Sequence, residues 1–316
     1  MAIFTYKAQD IHYEFSGEAG RPVITFINGL TQRTDHWTQY AETLNKAGYR
    51  VLSYDLLGQG ASSKPVLFID FNENPEILAA LLDHLQIRQT YLAGVSFGGI
   101  IVLHFGIKYP GRVKGLIPMS CFTEMDGQLQ YIGLNLYTGM VNVGFEYLVD
   151  LLIPINFSSA WIEKNKENIP LLKRTSFSYN DLYAIQNLIE SIQEFKPFTK
   201  ELGKISAPTL ILNGEYDTLT PRWTHELIRK NINNSRLMIM QHVCHAFTIE
   251  IPAITCRIIS DFVNQVETGR WKGDQSVWIA ADQLENDAIA SPCEGDHTRT
   301  IPFIKKSNRQ ENNAKR

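Results

Sequence analysis

The sequence contains no apolar run as long as the ~18 to 20 residues that a membrane-spanning helix needs. Its first residues, MAIFTYKAQD, also lack the basic and apolar regions of a secretory signal peptide. Neither charge sign dominates, because 30 lysines and arginines face 33 aspartates and glutamates and the formal net charge is -3. These absences predict a soluble cytoplasmic protein with no transmembrane segment and no electrostatic attraction to nucleic acid.

Cysteine is scarce, and the four that occur show no CxxC spacing. We therefore expect the cysteines to be unpaired thiols in a reducing compartment, and we expect no zinc site. They are Cys121, Cys244, Cys256 and Cys293. The sequence also has no internal repeat. Hydrophobic residues make up 44% of the 316, which is enough for one large core or for a core with an inserted segment.

Short apolar runs alternate with helical patterns through much of the chain. Residues 4–15, FTYKAQDIHYEF, alternate in two short stretches, which predicts a starting hairpin. Helical spacing follows the later apolar runs, and this rhythm predicts the α/β class, with a mostly parallel central sheet and helices on both faces. The predicted strands lie in VITFIN at 23–28, YRVLSYDL at 49–56, TYLAGVS at 90–96, VKGLIPMS at 113–120, APTLILNGEYD at 207–217 and SRLMIMQHVCHAF at 235–247.

The alternation of predicted strands and helices stops at about Phe122 and resumes at about Ile205. Between these points, large apolar residues recur at helical spacing, which predicts several helices with an apolar underside, inserted as a lid. After Gly269, WKGDQSVWIAADQ favours an added edge strand, whereas the polar, basic end is expected to be disordered. The predicted segments are the first part of the core at 1–121, the helical lid at 122–204, the second part of the core at 205–268 and a C-terminal extension at 269–316.

A serine stands at a predicted strand-to-helix turn in LAGVSFGGIIVLHFG, residues 92–106. Small residues are required two positions before and after a serine in such a turn, since larger ones would clash with the strand and the helix. Gly94 and Gly98 occupy those positions around Ser96. The turn exposes the serine hydroxyl above the carboxyl ends of the strands, beside backbone donors at the start of the helix.

With this turn, the chain resembles the serine hydrolase branch of the α/β-hydrolase fold superfamily, over roughly residues 4–266. The resemblance implies that Ser96 is the nucleophile and that the backbone N–H of Phe97 is one donor of the oxyanion hole. FINGL, which follows a predicted strand, is similar to the family's first oxyanion loop. The backbone N–H of Leu30 is therefore implied as the second donor.

Asn28 and Gly29 stand where many members of the superfamily have His-Gly. An Asn-Gly pair there is similar to the bacterial 3-hydroxyacyl transferases of rhamnolipid and polyhydroxyalkanoate synthesis. An ordinary turn is the other interpretation of the pair.

Family order places an acid and then a histidine after the serine, because a serine hydroxyl needs a general base and a group that orients it. Asp217, in EYDTLTP after a predicted strand, matches the acid position. Glu215 is the nearest rival, and Glu124 or Asp126 would serve if the acid stood at the end of the previous strand. A helix-capping turn before Pro221 is the structural alternative for Asp217.

MIMQHVCHAFTIEIP holds two histidines, His242 and His245. His245 is preferred as the base, since the AFTIEIP after it is similar to the family's pattern of an apolar residue followed by an acidic residue and proline. Cys244 replaces the usual small residue before the histidine, and as a nucleophile it would need a base of its own. Two histidines three apart also suit a metal pair, but no carboxylate cluster completes a site, so no metal is expected.

The loop YDLLGQGASS also recurs in the superfamily after a strand. Its Asp55, Gly58, Gly60 and Ser62 are expected to build the turn that borders the site, and we assign them structure rather than chemistry. The other histidines are expected to be surface or packed residues: His12, His36, His84, His104, His225 and His297.

Together these features predict two-step acyl transfer, without a cofactor, on a small-molecule acyl substrate. The apolar residues of the lid predict a pocket for a medium or long acyl chain, or else pack the lid's own core. The preferred function is hydrolysis of a carboxylic ester or lactone, with acyl-homoserine lactones among the candidates. The alternatives are a 3-hydroxyacyl transferase and a non-catalytic, ligand-binding member of the fold.

Overall fold

One sheet of ten strands runs through the computed structural model, which describes residues 2–65, 68–193, 195–282 and 289–293. The strands are β1 Ala2–Tyr6, β2 Gln9–Ser16, β3 Val23–Ile27, β4 Arg50–Tyr54, β5 Thr90–Val95, β6 Val113–Met119, β7 Thr209–Gly214, β8 Ser235–Met240, β9 Val277–Ala280 and β10 Ala290–Pro292. Their order across the sheet is β1-β2-β4-β3-β5-β6-β7-β8-β9-β10. From β4 to β9 in that order all neighbours are parallel, whereas β1, β2 and β10 pair antiparallel. The predicted starting hairpin and mostly parallel sheet are confirmed.

Helices cover both faces of this sheet, as predicted. They are α1 Thr38–Lys46, α2 Asn74–His84, α3 Phe97–Lys108, α4 Gly127–Val143, α5 Phe145–Asn156, α6 Ser159–Asn165, α7 Ile169–Tyr179, α8 Leu182–Gln193, α9 Arg222–Asn231, α10 Phe247–Glu250 and α11 Pro252–Glu267. Strand β3 is buried at every position because successive side chains point to opposite, covered faces. Ile24 and Phe26 pack with α1 and α11, while Val23 and Ile27 pack with α2 and α3.

Helices α4 to α8, here called the inserted helices, stand between β6 and β7 in the chain. Leu148, Ile185 and Leu188 are fully buried and join the same apolar cluster as α2 and α3. The inserted helices therefore pack on the sheet domain through their apolar side. Among the described residues, none of the helices combines the length and the apolar character that crossing a bilayer requires.

Residues after Gly269 extend the sheet, although their sequence fits the strand and helix rhythm poorly. The predicted edge strand is present as Val277–Ala280, but β10 pairs on its outer side, so it is not the edge. The guanidinium of Arg236, on β8, lies over the rings of Trp271 and Trp278, 5.1 and 4.5 Å from their centroids, and these cation–π contacts connect the segment to the core. The disorder predicted for the basic end falls outside the described residues.

Candidate active site

Ser96 occupies a sharp turn between β5 and α3. Its backbone has φ 55° and ψ -115°, a left-handed conformation that a non-glycine residue adopts only when its surroundings hold it. The Ser96 N–H donates to the carbonyl oxygen of Met119 at 2.9 Å, which ties the turn to β6. A Cβ at Gly94 would lie 2.3 Å from the Gly98 oxygen, and a Cβ at Gly98 would lie 2.2 Å from the Ile27 oxygen. Both flanking glycines are therefore required by close backbone approach.

Replacing Gly98 with alanine is expected to lower the free energy of unfolding by about 3 kcal/mol or more, because the new methyl group meets a backbone atom that cannot rotate away. The matched control is Gly111→Ala, where a Cβ would meet nothing within 4 Å. That control is expected to change stability by less than about 0.5 kcal/mol. Thermal and urea unfolding of the two variants measure the difference, and equal stability would contradict a close-packed turn.

Asp217 and His245 meet at the carboxyl ends of β7 and β8. The Nδ1 atom of His245 lies 2.9 Å from Oδ2 of Asp217, and Asp217 is only 4% exposed. The carboxylate also accepts the backbone N–H groups of Leu219 and Thr220 at 3.0 and 2.8 Å, the Thr220 hydroxyl at 2.8 Å and the Asn213 amide at 3.4 Å. These hydrogen bonds therefore fix the orientation of the Asp217 carboxylate toward the imidazole.

Electrostatics keep the carboxyl group of Asp217 ionised. Burial alone would raise its pKa, but the electrostatic interaction and hydrogen bond with His245 and the backbone N–H of Thr220 outweigh burial. The pKa of Asp217 therefore lies below its ordinary value. An ionised carboxylate on Nδ1 fixes the imidazole with its Nε2 lone pair free to accept a proton.

Two of the rival acids, Glu215 and Asp126, and the rival base His242 have other partners. Glu215 accepts the backbone N–H of His242 at 2.9 Å, and the exposed His242 ring lies 3.0 Å from the Asp282 carboxylate. Asp126 caps α4 by accepting the N–H of Leu129 at 2.8 Å. Within the described part of the chain, no three His, Cys, Asp or Glu side chains gather into a group that would hold a metal ion.

The loop that carries His245 is anchored to the inserted helices. The N–H of Ala246 donates to the carbonyl oxygen of Asn156, the last residue of α5, at 2.9 Å. Glu250 accepts the N–H of Cys244 through one oxygen, at 2.8 Å, and the N–H of Ser158 through the other, at 3.1 Å. The acidic residue of the AFTIEIP pattern thus has a bridging role that the pattern itself did not reveal.

Two buried groups near the site are uncharged. Burial raises the pKa of the Cys244 thiol to about 11, so this residue stays protonated near neutral pH and is a poor nucleophile. Burial lowers the pKa of His225 to about 4, and its neutral Nε2 accepts the backbone N–H of Cys121 at 3.0 Å. His225 therefore acts as a packed histidine that joins α9 to the end of β6.

The side chain of Asn28 does not face the site. It is fully buried, and its amide donates to the Tyr54 carbonyl oxygen at 3.0 Å and to Asp55 at 3.3 Å. Its oxygen accepts the indole N–H of Trp37 at 2.7 Å. The Asn28 side chain therefore joins the end of β3 to the end of β4 and to Trp37, whereas Gly29 lines the cavity that Ser96 also lines.

Ser96, His245, Leu30 and Phe97 line one cavity of about 210 Å³, here called the apolar cavity. Phe97 is the first residue of α3, so its N–H has no acceptor within the helix. The rest of the wall is largely apolar and comes from the inserted helices. Their contributions include Leu129, Leu136, Leu148, Leu152, Ile189 and Ile192.

Comparison with known proteins agrees with this architecture. The family model for the alpha/beta hydrolase fold matches residues 22–252. The chain is 26% identical to 3-oxoadipate enol-lactonase 2 of Acinetobacter baylyi, over 80% of this chain and 94% of the relative, and 24% identical to a serine hydrolase of Mus musculus, over 80% and 82%. The crystal structure of the enol-lactonase from Burkholderia xenovorans LB400 superposes with a TM-score of 0.76, at 20% identity, covering 83% of this chain and 100% of that one.

Proposed function

The chain belongs to the alpha/beta hydrolase fold family, and we propose that it is a serine hydrolase that cleaves a carboxylic ester or lactone with an apolar acyl part. One observation carries the proposal. His245 lies 2.9 Å from the buried carboxylate of Asp217, and it lines the same cavity as Ser96. The names of the enol-lactonase and serine hydrolase relatives support the reaction class.

In the proposed mechanism, His245 takes the proton of the Ser96 hydroxyl as its oxygen forms a bond to the ester carbonyl carbon. The backbone N–H groups of Leu30 and Phe97 stabilise the resulting oxyanion. The bond to the alcohol oxygen then breaks, and the alcohol leaves with the proton from His245. Water repeats the sequence on the acyl-enzyme and releases the acid, while Asp217 keeps the imidazole in its productive tautomer throughout.

The inserted helices serve, in this proposal, as a lid that forms the acyl pocket. Their aliphatic side chains supply most of the wall opposite Ser96, and such a wall favours an apolar chain because burial stabilises it by roughly 0.8 kcal/mol per methylene. The anchors from Asn156 and Ser158 to the His245 loop link the lid to the base.

A series of p-nitrophenyl esters from acetate to dodecanoate is expected to show an optimum of kcat/KM above the short acyl groups. Leu136→Trp, which fills part of the apolar cavity, is expected to move that optimum to shorter chains. Leu134→Trp is the control, because Leu134 lies two residues away on α4 and is 52% exposed. A profile that is flat or highest for acetate would contradict the acyl pocket.

Product analysis tests the reaction class directly. The protein is incubated with acyl esters, N-acylhomoserine lactones and acyl thioesters, and mass spectrometry follows the intact protein and the released compounds. Free acid is the expected product. Acyl transfer to an added alcohol or thiol, with little free acid, would instead identify a transferase, and the absence of both product and covalent adduct would favour a binding protein.

A further inference from the structure

The loop after β3 approaches the turn that holds Ser96 at close range. A Cβ at Gly29 would lie 3.2 Å from the carbonyl oxygen of Val95 and 3.5 Å from the Cβ of Ser96. Gly29 and Leu30 both line the apolar cavity together with Ser96. The conformation of residues 29–32, here called the Gly29 turn, therefore determines which backbone groups lie beside the serine.

The Gly29 turn contains a strained residue. Thr31 has φ 65°, a left-handed conformation that a β-branched residue adopts at a cost. The N–H of Gln32 donates to the carbonyl oxygen of Gly29 at 3.3 Å, which closes the turn. Strain of this kind persists only when surrounding contacts hold the backbone, so the side chains that bond to the turn maintain its shape.

The side chain of Gln32 provides one of these contacts. Its Oε1 accepts the backbone N–H of Gly29 at 2.8 Å. A glutamine reaches back in the same way, to the N–H three residues earlier, in the capping box of a helix. The Gly29 N–H is therefore held within the turn and is not available to a substrate.

Contacts on either side hold the rest of the loop. The amide of Asn180, at the end of α7, donates to the carbonyl oxygen of Thr31 at 3.4 Å. The N–H of Thr34 donates to the Asp55 carboxylate at 2.7 Å. Gln32 differs from these two partners because its side chain bonds to the residue directly before Leu30.

The N–H of Leu30 remains free in this arrangement. It has no acceptor in the part of the chain that the structure describes. A free N–H on the cavity wall beside a serine is what the oxyanion hole of the proposed mechanism requires. Because Gln32 occupies the N–H of Gly29, the turn presents Leu30 rather than Gly29 as the donor.

We propose that Gln32 is a positioning residue, whose Oε1 holds the Gly29 N–H and thereby places the Leu30 N–H where the oxyanion forms. The inference rests on the proposed function, since it concerns the tetrahedral intermediate of that reaction. Gln32 acts through the turn and forms no bond to the substrate. Complete loss of one oxyanion donor costs about 10²- to 10³-fold in kcat, so a misplaced donor is expected to cost about 10- to 10²-fold.

The test replaces Gln32 with methionine in the full-length protein. Methionine has a similar length and no charge, but it offers the Gly29 N–H no oxygen. With p-nitrophenyl octanoate, kcat is expected to fall by about 10- to 10²-fold, while KM changes by less than about twofold. KM is preserved because the wall of the apolar cavity that receives the acyl chain is unchanged.

Inhibition by octaneboronic acid measures the oxyanion contact separately. The Ser96 oxygen forms a bond to boron, its proton passes to His245, and the anionic tetrahedral adduct places one boron-bound oxygen at the oxyanion position. The inhibition constant is expected to rise in Gln32→Met by the same factor as kcat falls. Ethyl octanoate, titrated against Ser96→Ala with and without Gln32→Met, is expected to bind equally, since no adduct forms there.

Gln39→Met is the matched control. Gln39 is exposed on α1, outside the residues that line the apolar cavity, so unchanged kcat and inhibition are expected. Gln32→Asn keeps an amide but is one methylene shorter, so we expect it not to reach Gly29 and to lose activity as Gln32→Met does. It serves if the methionine variant does not fold.

Two results in an active wild-type protein would overturn the inference. One is unchanged kcat and boronic acid inhibition in the Gln32 variants. The other is an equal loss of ethyl octanoate binding, which would assign Gln32 to substrate contact or to general folding. A wild-type protein that neither cleaves an ester nor binds the boronic acid would instead refute the proposed function, together with the role that rests on it.

Discussion

Replacing Ser96 with alanine is expected to lower kcat/KM for ester cleavage by about 10⁴-fold or more, and to abolish covalent labelling by a fluorophosphonate probe. In the proposed mechanism the hydroxyl oxygen forms the bond to the acyl carbon, so no acyl-enzyme is expected without it. Binding in the apolar cavity and the two backbone donors would remain and account for any residual rate. Intact-protein mass spectrometry and steady-state kinetics measure both effects.

Ser120→Ala is a matched control for this change. Ser120 follows the neighbouring strand β6, is fully buried and also has a left-handed backbone, with φ 43°. It is expected to retain both activity and probe labelling. Persistent labelling of Ser96→Ala would assign the nucleophile to another residue, and an unlabelled wild-type protein would favour the non-catalytic alternative.

Replacing Asp217 with asparagine is expected to lower kcat by about 10⁴-fold while leaving the apolar cavity intact. An asparagine amide donates to Nδ1 of His245, which moves the ring proton to Nε2. The imidazole then has no lone pair toward Ser96 and does not accept its proton. Glu215→Gln is the control, because Glu215 accepts the N–H of His242 and not of His245. Equal losses in the two variants would contradict the assignment of the acid.

The same variant has a second readout in the pH dependence of stability. Since the pKa of Asp217 is lower in the folded protein than its ordinary value, its ionised form stabilises the fold above the ordinary carboxyl range. That stabilisation is lost as the pH falls through the folded pKa. The difference in the free energy of unfolding between wild type and Asp217→Asn should therefore shrink below about pH 4.

Local sequence patterns were sufficient to predict most strands and helices and the turn that holds Ser96. Strands and helices follow from hydrophobic periodicity within single segments, and the predicted hairpin, parallel strands and covering helices agree with the structure. Gly94 and Gly98 signal close backbone approach because that requirement concerns atoms within a few residues of the serine and the adjoining strand. Such constraints are visible in the sequence because they require glycine at fixed positions relative to the serine.

Contacts between residues that are distant in the chain do not follow from local spacing, and it was the family resemblance that indicated Asp217 and His245. Asp217 and Glu215 stand two residues apart after the same strand, and only the packing of β7 beside β8 directs Asp217 to His245 and Glu215 to His242. Likewise, the sequence after Gly269 indicates one strand but not the β10 that covers it. Its pairing depends on sheet order and not on local periodicity.

By itself, the sequence determined the α/β architecture, the turn at Ser96 and the short set of acids and bases that follow it. The tertiary structure decided which of them meet and why Asn28 is buried. The physical reason is one of range. Backbone conformation depends mainly on neighbouring residues along the chain. A site assembled from residues more than a hundred positions apart exists only once strand order and helix packing have brought them together.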